Sequence, residues 1–286
     1  MERIALVTWR GLPELSADDR LASAAIADLG LTADAVSWDD PAVTWTSYAA
    51  VILRSTWDYH HRLGEFHAWL DRLEALGAHL WNPPHILRWN TDKRYLGRLH
   101  HPRLSPPPTE ILGRGSAVDL PALLERHGWD EAVMKPAVSA DGFSTERTSL
   151  SQAASDQPIL DTMLARGDVV MQRLVPEIRT SGEISMMFFA GAFSHAVSKR
   201  PKAGEFRVQE RLGGAIVRTD PPAALIADAR ELLETHAPDC LYGRVDVVVT
   251  AAGPVLMEVE LLEPSLYFEH DPSSADAFAR AVRRIA

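Results

Sequence analysis

Short apolar runs alternate with amphipathic stretches along the first third of the chain. The runs 4–7 and 51–53 have the length and composition of buried strands. The stretches 18–29 and 63–76 repeat bulky apolar residues every three to four positions, which is the period of a helix that covers a core, and a glycine follows each of them. Strands that alternate with helices predict an α/β fold, with a parallel sheet and helices on both faces.

Prolines interrupt the pattern in the middle of the chain, at 83–84 and again at 106–108. Between these breaks Asn90 and Thr91 are residues typical of a helix N-cap, so we expect a short helix over 92–99. After the second break the pattern predicts a strand over 109–112, a helix over 121–127, a strand over 132–135 and a polar loop over 136–144. This segment has the make-up of a small α+β lobe.

The last third is rich in strands and contains two predicted hairpins. The first joins 184–190 to 193–198 around Gly191, and the second joins 244–250 to 254–260 around 251–253. Three segments with different patterns predict three domains, which we place at 1–89, 90–170 and 171–286.

The second hairpin concentrates charge on one face. We expect Thr250 to face Pro254 across a three-residue turn. That register pairs Asp246 with Glu258 and Arg244 with Glu260, and it puts all four on one face because side chains alternate along a strand. The opposite face is then apolar and holds Val245, Val247, Val249, Val255, Met257 and Val259. A bulge in either strand would change this register.

The carboxylates of Asp246, Glu258 and Glu260 would repel one another at this distance, and a bound hard divalent cation would offset the repulsion. Mg²⁺ takes one or two protein carboxylates together with substrate phosphates. We therefore interpret Asp246, Glu258 and Glu260 as metal ligands. The alternative is a solvated hairpin face that binds nothing.

Lysines and arginines near strand ends or polar loops suit a nucleotide triphosphate. They are Lys93, Lys135, Lys199, Arg200 and Arg207. Lys135 ends an apolar strand immediately before the polar loop. Taken singly, each is a common surface residue. Neither the phosphate-loop motif nor GxGxxG or HExxH occurs in the sequence.

The chain resembles the ATP-grasp carboxylate–amine ligases over nearly its whole length. The resemblance rests on the segments 90–93, 133–136, 170–175, 244–246 and 258–260. It implies a three-lobed fold that binds ATP and Mg²⁺. Lys93 and Lys135 would hold phosphates with the loop residues Ser139 and Gly142. Adenine would lie against Gln172, Arg173, Leu174 and Val175, the metal would be held by Asp246, Glu258 and Glu260, and Arg244 would act in catalysis with Lys199 and Arg207. Many family members carry Asn where this chain has Glu260.

Within that family the chain is similar to the group that closes O-ureido-D-serine into D-cycloserine. The segments 54–59, 89–93 and 260–266 carry this resemblance. It implies that ATP activates a carboxylate as an acyl phosphate, which a nitrogen of the same small amino-acid-like molecule then attacks. We assign substrate binding to Arg54, Ser55, Thr56 and Ser265. Arg54 follows a strand of the parallel sheet, where ligands commonly bind, but a structural salt bridge is the alternative.

Composition narrows the other possibilities. With 29 basic and 39 acidic residues the net charge is −10, which argues against nucleic-acid binding. One cysteine excludes an internal disulfide, and no apolar run has the length of a membrane span. The first residues lead directly into a strand, so we expect a cytoplasmic protein without a signal peptide or membrane partner. We leave three alternatives open: a homo-oligomer, an intermolecular amino-acid ligase and a nucleotide-binding regulatory module. A metal-dependent hydrolase is disfavoured because no histidine lies next to the acids in the sequence.

Overall fold

The computed structural model describes residues 2–140, 142–202, 207 and 213–286. Its first sheet is parallel, with strand order β2-β1-β3-β4. The strands are β1 (Arg3–Thr8), β2 (Thr32–Ser37), β3 (Ala50–Ser55) and β4 (Leu80–Trp81), and the helices are α1 (Ala17–Asp28) and α2 (Leu63–Leu76). Alternate side chains of β1 face opposite sides: Ile4 packs in the core with α1, and Ala5 in the core with α2. The predicted parallel sheet with helices on both faces is confirmed.

The connection to the second sheet differs from the prediction. A helix that the pattern did not predict, α3 (Pro84–Asn90), begins at the first proline pair. Proline is favoured at a first helical position because its missing N–H would be unpaired there in any case. Asn90 and Thr91 therefore end a helix and do not cap the next one. Asp92 is the N-cap of the 3-10 helix Lys93–Arg98, since its carboxylate accepts a hydrogen bond from the Arg94 N–H.

The second sheet is antiparallel, with strand order β5-β8-β6-β7. Its elements are β5 (Thr109–Leu112), α4 (Leu120–His127), β6 (Glu131–Pro136), β7 (Glu146–Ser149), α5 (Ala153–Arg166) and β8 (Val169–Arg173). The strand predicted over 109–112 has those bounds in the structure. β8 runs across the predicted domain limit between 170 and 171, so these limits stay a prediction.

The third sheet has strand order β11-β10-β9-β12-β13 and is antiparallel. Its elements are β9 (Glu183–Phe189), β10 (Ala192–Arg200), β11 (Ala215–Thr219), α6 (Ala223–His236), β12 (Tyr242–Thr250), β13 (Gly253–Glu260) and α7 (Ser273–Arg283). One apolar core joins this sheet to the first: Phe278 of α7 is buried together with Ile4 and Ile26. No helix in these described parts of the chain is long and apolar enough to cross a membrane.

The β12–β13 hairpin pairs as predicted at the acids but not at its turn. Thr250 pairs with Gly253, so the loop has two residues, and the ladder keeps this register up to Val247 opposite Leu256. A β-bulge between Asp246 and Val247 then adds one residue on β13. Beyond it Asp246 pairs with Glu258 and Arg244 with Glu260, as expected.

The bulge also corrects the predicted apolar face. Leu256, and not Val255 or Met257, is buried in the main core beside Val245 and Val247. Val249 is 42% exposed. The bulge explains the burial of Leu256, because one extra residue on β13 reverses which of that strand's side chains face the core.

Candidate active site

A cavity of about 450 Å³ lies between the second and third sheets. All but three of the predicted site residues line it. They are Lys93, Lys135, Ser139, Gly142, Gln172, Arg173, Leu174, Val175, Lys199, Arg207, Arg244, Asp246, Glu258, Glu260 and Ser265. Residues from five strands, from the 3-10 helix Lys93–Arg98 and from connecting segments therefore converge, as expected for a ligand site between lobes.

The acidic residues of the hairpin form one group at this cavity. The carboxylates of Asp246, Glu258 and Glu260 each place an oxygen within 4.8 Å of the others. Arg244 Nη2 lies 3.0 Å from Asp246 Oδ2 and also binds the Glu260 carboxylate. Ser185 Oγ donates a hydrogen bond to Asp246 Oδ1 at 2.5 Å. Oxygen donors this close suit a hard divalent cation.

The charges around these carboxylates separate their pKa values. Burial raises the pKa of Asp246, but the Arg244 and Lys199 cations outweigh it and lower this pKa to about 2. Burial raises the pKa of Glu260 to about 7, with Arg244 opposing and Glu258 and Asp246 adding to the rise. Asp246 is thus a permanent anion at neutral pH, whereas Glu260 is the carboxylate that gives up charge when no cation offsets the others.

Two lysines, Lys93 and Lys135, line the cavity together with the acids. Lys93 Nζ lies 2.7 Å from Glu258 Oε1 and donates a hydrogen bond to the Ser139 carbonyl at 3.0 Å. Burial alone would lower the pKa of Lys93, but the Glu258 carboxylate raises it. Burial lowers the pKa of Lys135, and in the described part of the chain no carboxylate lies within 4 Å of its Nζ. Lys135 is therefore the lysine with most to gain from an anionic ligand.

Lys199 lies close to two buried carboxylates. Its Nζ lies 2.5 Å from Glu183 Oε1 and 3.6 Å from Asp246 Oδ2. Burial would lower the pKa of Lys199, but the charges of Asp246 and Glu183 raise it far above its usual range. Lys199 thus stays charged and balances Asp246. Arg207 also lines the cavity.

The strand end predicted to contact adenine forms a largely apolar cleft. Leu174 and Val175 are buried there beside Met257, which the β-bulge turns towards the cavity. Gln172 Nε2 donates a hydrogen bond to Thr109 Oγ1 at 3.0 Å, which fixes its side chain. A flat apolar slot with a few polar groups is typical of a purine site.

Arg54, Ser55 and Thr56 are the three predicted site residues that do not line the cavity. The Arg54 side chain is 1% exposed, and its Nε lies 2.8 Å from Asp19 Oδ1. Ser55 donates a hydrogen bond to the same carboxylate. This is the salt bridge that the sequence left open, and it uses the polar groups of Arg54 and Ser55 inside the protein. Thr56 Oγ1 is buried without a hydrogen-bond partner among the described residues. Direct substrate contact by these three residues stays a prediction.

Arg54 nevertheless contributes to the site, because it hydrogen-bonds to segment 261–266. This segment follows β13 and has no regular structure before the turn at Phe268. Five of its carbonyls accept hydrogen bonds from buried side chains. The donors are Asn82 to Leu261, Tyr242 to Leu262, Arg54 to Pro264, Arg244 to Ser265 and His195 to Leu266, at 2.7 to 3.1 Å. Segment 261–266 is not part of a β-ladder, and side chains that are distant in sequence hold it in one position.

Comparison with known proteins agrees with this geometry. Residues 4–82 match the family described as the D-cycloserine synthetase DcsG, N-terminal domain. The cycloserine biosynthesis protein DcsG of Streptomyces lavendulae is 32% identical over 269 residues, which cover 89% of this chain and 89% of that protein. The chain belongs to the D-cycloserine synthetase family.

Solved structures show which fold the chain has. The crystal structure of D-cycloserine synthetase DcsG matches with a TM-score of 0.86 and 29% identity, over 99% of this chain and 100% of that one. The D-alanine–D-alanine ligase of Bacillus anthracis, solved in complex with ATP, has a TM-score of 0.67 and 18% identity, over 100% of this chain and 96% of the ligase. The predicted ATP-grasp fold is confirmed, and so is the prediction of an ATP-dependent ligase that forms carbon–nitrogen bonds.

Sequence reasoning missed several residues of this D-cycloserine synthetase-family site. Glu183, Tyr267 and Glu263 line the cavity although none was assigned to it, and Tyr59, which belongs to the segment 54–59 that carried the resemblance, lines it as well. Glu263 lies three residues after Glu260 and inside the segment that carried the resemblance, so its carboxylate was a signal that could have been used. Glu183 had no such signal, because only tertiary contacts bring it to the acids.

Proposed function

We propose that this chain uses ATP to close O-ureido-D-serine into D-cycloserine. The observation that carries the proposal is the similarity to a cycloserine biosynthesis protein, which extends over 89% of both chains and includes the N-terminal domain. In an ATP-grasp ligase the segments outside the nucleotide cleft shape the substrate pocket, so similarity across the whole length bears on the substrate. We also infer that the enzyme acts in the cytoplasm, where ATP is available.

The cations and the apolar cleft support nucleotide binding. Lys135 and Lys93 lie at the part of the cavity that suits phosphates, and the slot beside Leu174 and Val175 suits adenine. Polar loop residues Ser139 and Gly142 lie next to the lysines and offer hydrogen-bonding groups for phosphate oxygens. We assign these residues to ATP.

The three carboxylates fit a magnesium ion. Asp246, Glu258 and Glu260 supply oxygen donors within 4.8 Å of one another, and no soft ligand is among them. A divalent cation bound there would neutralise charge on the phosphates. The raised pKa of Glu260 supports the same assignment, because burial and the neighbouring acids disfavour three bare anions in one place.

The reaction that fits these residues has two steps. The substrate carboxylate attacks the γ-phosphorus of ATP, ADP leaves, and the ureido nitrogen bonded to oxygen then attacks the acyl phosphate and expels phosphate. Because D-cycloserine has no carbamoyl group, that group must also leave, with water, as carbon dioxide and ammonia. Arg244 is held in place by Asp246 and Glu260, and we assign it to stabilising negative charge on the reacting carbonyl oxygen.

An assay with O-ureido-D-serine as the sole amino compound tests this proposal. We expect ADP, phosphate and ammonia in equal amounts, and a five-membered ring product by mass spectrometry. Adding amino acids as acceptors should not be required, since an intramolecular nucleophile needs orientation and no second pocket. ADP formation that depends on a second amino compound would instead identify an intermolecular ligase and overturn the cyclisation.

A further inference from the structure

Glu263 stands out among the carboxylates at the cavity because no cation in the described part of the chain pairs with it. The others are paired: Glu258 with Lys93, Asp246 and Glu260 with Arg244, and Glu183 with Lys199. Within residues 2–140, 142–202, 207 and 213–286, no lysine, arginine or histidine nitrogen lies within 4 Å of the Glu263 carboxylate. Glu263 also lies outside the group of three acids whose oxygens are within 4.8 Å of one another.

The position of Glu263 is fixed by the fold. The carbonyls on either side of it accept hydrogen bonds, Leu262 from Tyr242 at 2.8 Å and Pro264 from Arg54 at 2.7 Å. Its side chain is partly buried and lines the cavity with Trp57 and Tyr59. A carboxylate held on a rigid segment in a partly dry cavity is suited to bind a cationic group at a defined place.

Burial and the nearby Glu260 carboxylate raise the pKa of Glu263 well above its usual range, and Lys93 and Arg244 offset this only in part. The group therefore gains most from a ligand that brings a positive charge. An α-amino acid substrate carries one, two bonds away from the carboxyl carbon that reacts. Since Glu263 lies close enough to Glu260 and Arg244 to interact electrostatically with both, it borders the place where that carboxyl group must lie.

We propose that Glu263 binds the α-ammonium group of the substrate and selects amino acids over acids that lack this group. The inference rests on the proposed function in requiring an α-amino acid substrate, and it adds the residue that recognises it. Arg54 and Tyr242 are then positioning residues, which act by holding the backbone on both sides of Glu263.

The test compares two ligands in two proteins. O-ureido-D-serine and its des-amino analogue, 3-(ureidooxy)propanoic acid, are titrated calorimetrically into the wild type and into Glu263→Gln, with ADP and Mg²⁺ present. The wild type should prefer the amino compound, and Glu263→Gln should weaken its binding roughly tenfold to hundredfold, the range for loss of a charged hydrogen-bond partner. Affinity for the analogue should change by less than about threefold, because it has no ammonium group to lose.

Two controls separate recognition from structure. Glu125→Gln removes an exposed carboxylate of α4 that is remote from the cavity, and it should change neither affinity. The Michaelis constant for ATP should be the same in Glu263→Gln and in the wild type. If Glu263→Gln does not fold, Glu263→Ala is measured in the same way, since the ratio between the two ligands is what decides.

Equal weakening of both ligands in Glu263→Gln would overturn the proposal, as would an unchanged preference. A loss of kcat with both affinities intact would assign Glu263 to the chemical step instead. If the wild type makes no ADP with O-ureido-D-serine, the proposed substrate is wrong, and the same comparison uses whichever amino acid is accepted and its des-amino counterpart. If no α-amino acid supports ADP formation, ammonium recognition by Glu263 is wrong as well.

Discussion

Replacing Arg54 should separate folding stability from the geometry of the site. The ion pair with Asp19 is almost completely buried, with side chains 1% and 3% exposed. Arg54→Ala leaves a buried carboxylate without its cation, which destabilises proteins by about 3–5 kcal/mol. It also removes the donor to the Pro264 carbonyl. We expect the free energy of unfolding, measured in urea, to fall by an amount in this range.

A double variant tests the second effect without the first. Replacing both partners with apolar residues, Arg54→Met with Asp19→Leu, leaves no unpaired charge, and such replacements of buried pairs are often close to neutral for stability. The Pro264 carbonyl still lacks its donor, so kcat/KM should stay roughly tenfold or more below the wild type.

The matched control is Arg126→Ala. Its arginine is 63% exposed and its partner Glu110 is 28% exposed, so the loss of stability should be less than about 1 kcal/mol. If Arg54→Ala costs no more than this control, the buried pair is not what holds Arg54. Full activity in the double variant would refute the role of Arg54 in positioning segment 261–266.

Four further outcomes are expected. Asp246→Asn and Glu258→Gln should each abolish turnover at saturating ATP and Mg²⁺ while circular dichroism stays unchanged; wild-type rates would exclude them as metal ligands. Lys135→Ala should weaken ATP binding in calorimetry at least tenfold and substrate binding far less, because Lys135 lines the cavity and no carboxylate of the described residues lies within 4 Å of its ammonium group. Amides of residues 137–140 and 142–144 should exchange hydrogen more slowly with a bound ATP analogue than without it. Burial and Asp19 raise the pKa of Asp18 to about 6, so protonated Asp18 stabilises the folded state fully below about pH 4, and this stabilisation is lost as the pH rises through 6. Asp18→Asn should therefore stabilise the protein more at pH 8 than at pH 5. A difference in stability that does not depend on pH would contradict this.

The sequence predicted most of the helices and strands whose formation depends on residues close together in the chain. The helix over 63–76 and the strand over 109–112 have their predicted bounds. Helix α3 was missed because it has only seven residues and starts with prolines, which also signal a break. The sequence does not indicate the β-bulge at Asp246, since the bulge depends on how β13 packs beside β12 and against the core.

The residues of the candidate site likewise fall into those that local sequence could place and those that only tertiary packing brings together. Asp246, Glu258 and Glu260 could be placed together because a hairpin ladder brings them into register within one short segment. The partners of Arg54 could not, because Asp19 and Pro264 are 35 and 210 residues away and only the packed core joins them. Charge alone therefore favoured a ligand for Arg54, while tertiary structure supplied an internal partner.

The hydrogen bonds that hold segment 261–266 constrain how this protein could have diversified. Donors from the N-terminal sheet region, Arg54 and Asn82, and from the C-terminal sheet, Tyr242 and His195, fix successive carbonyls of one segment. Recombination that exchanges the N-terminal segment between ATP-grasp ligases would separate these donors from their acceptors. Chimeras should retain activity only when the exchanged segment brings equivalent donors, so the two halves are expected to be inherited together.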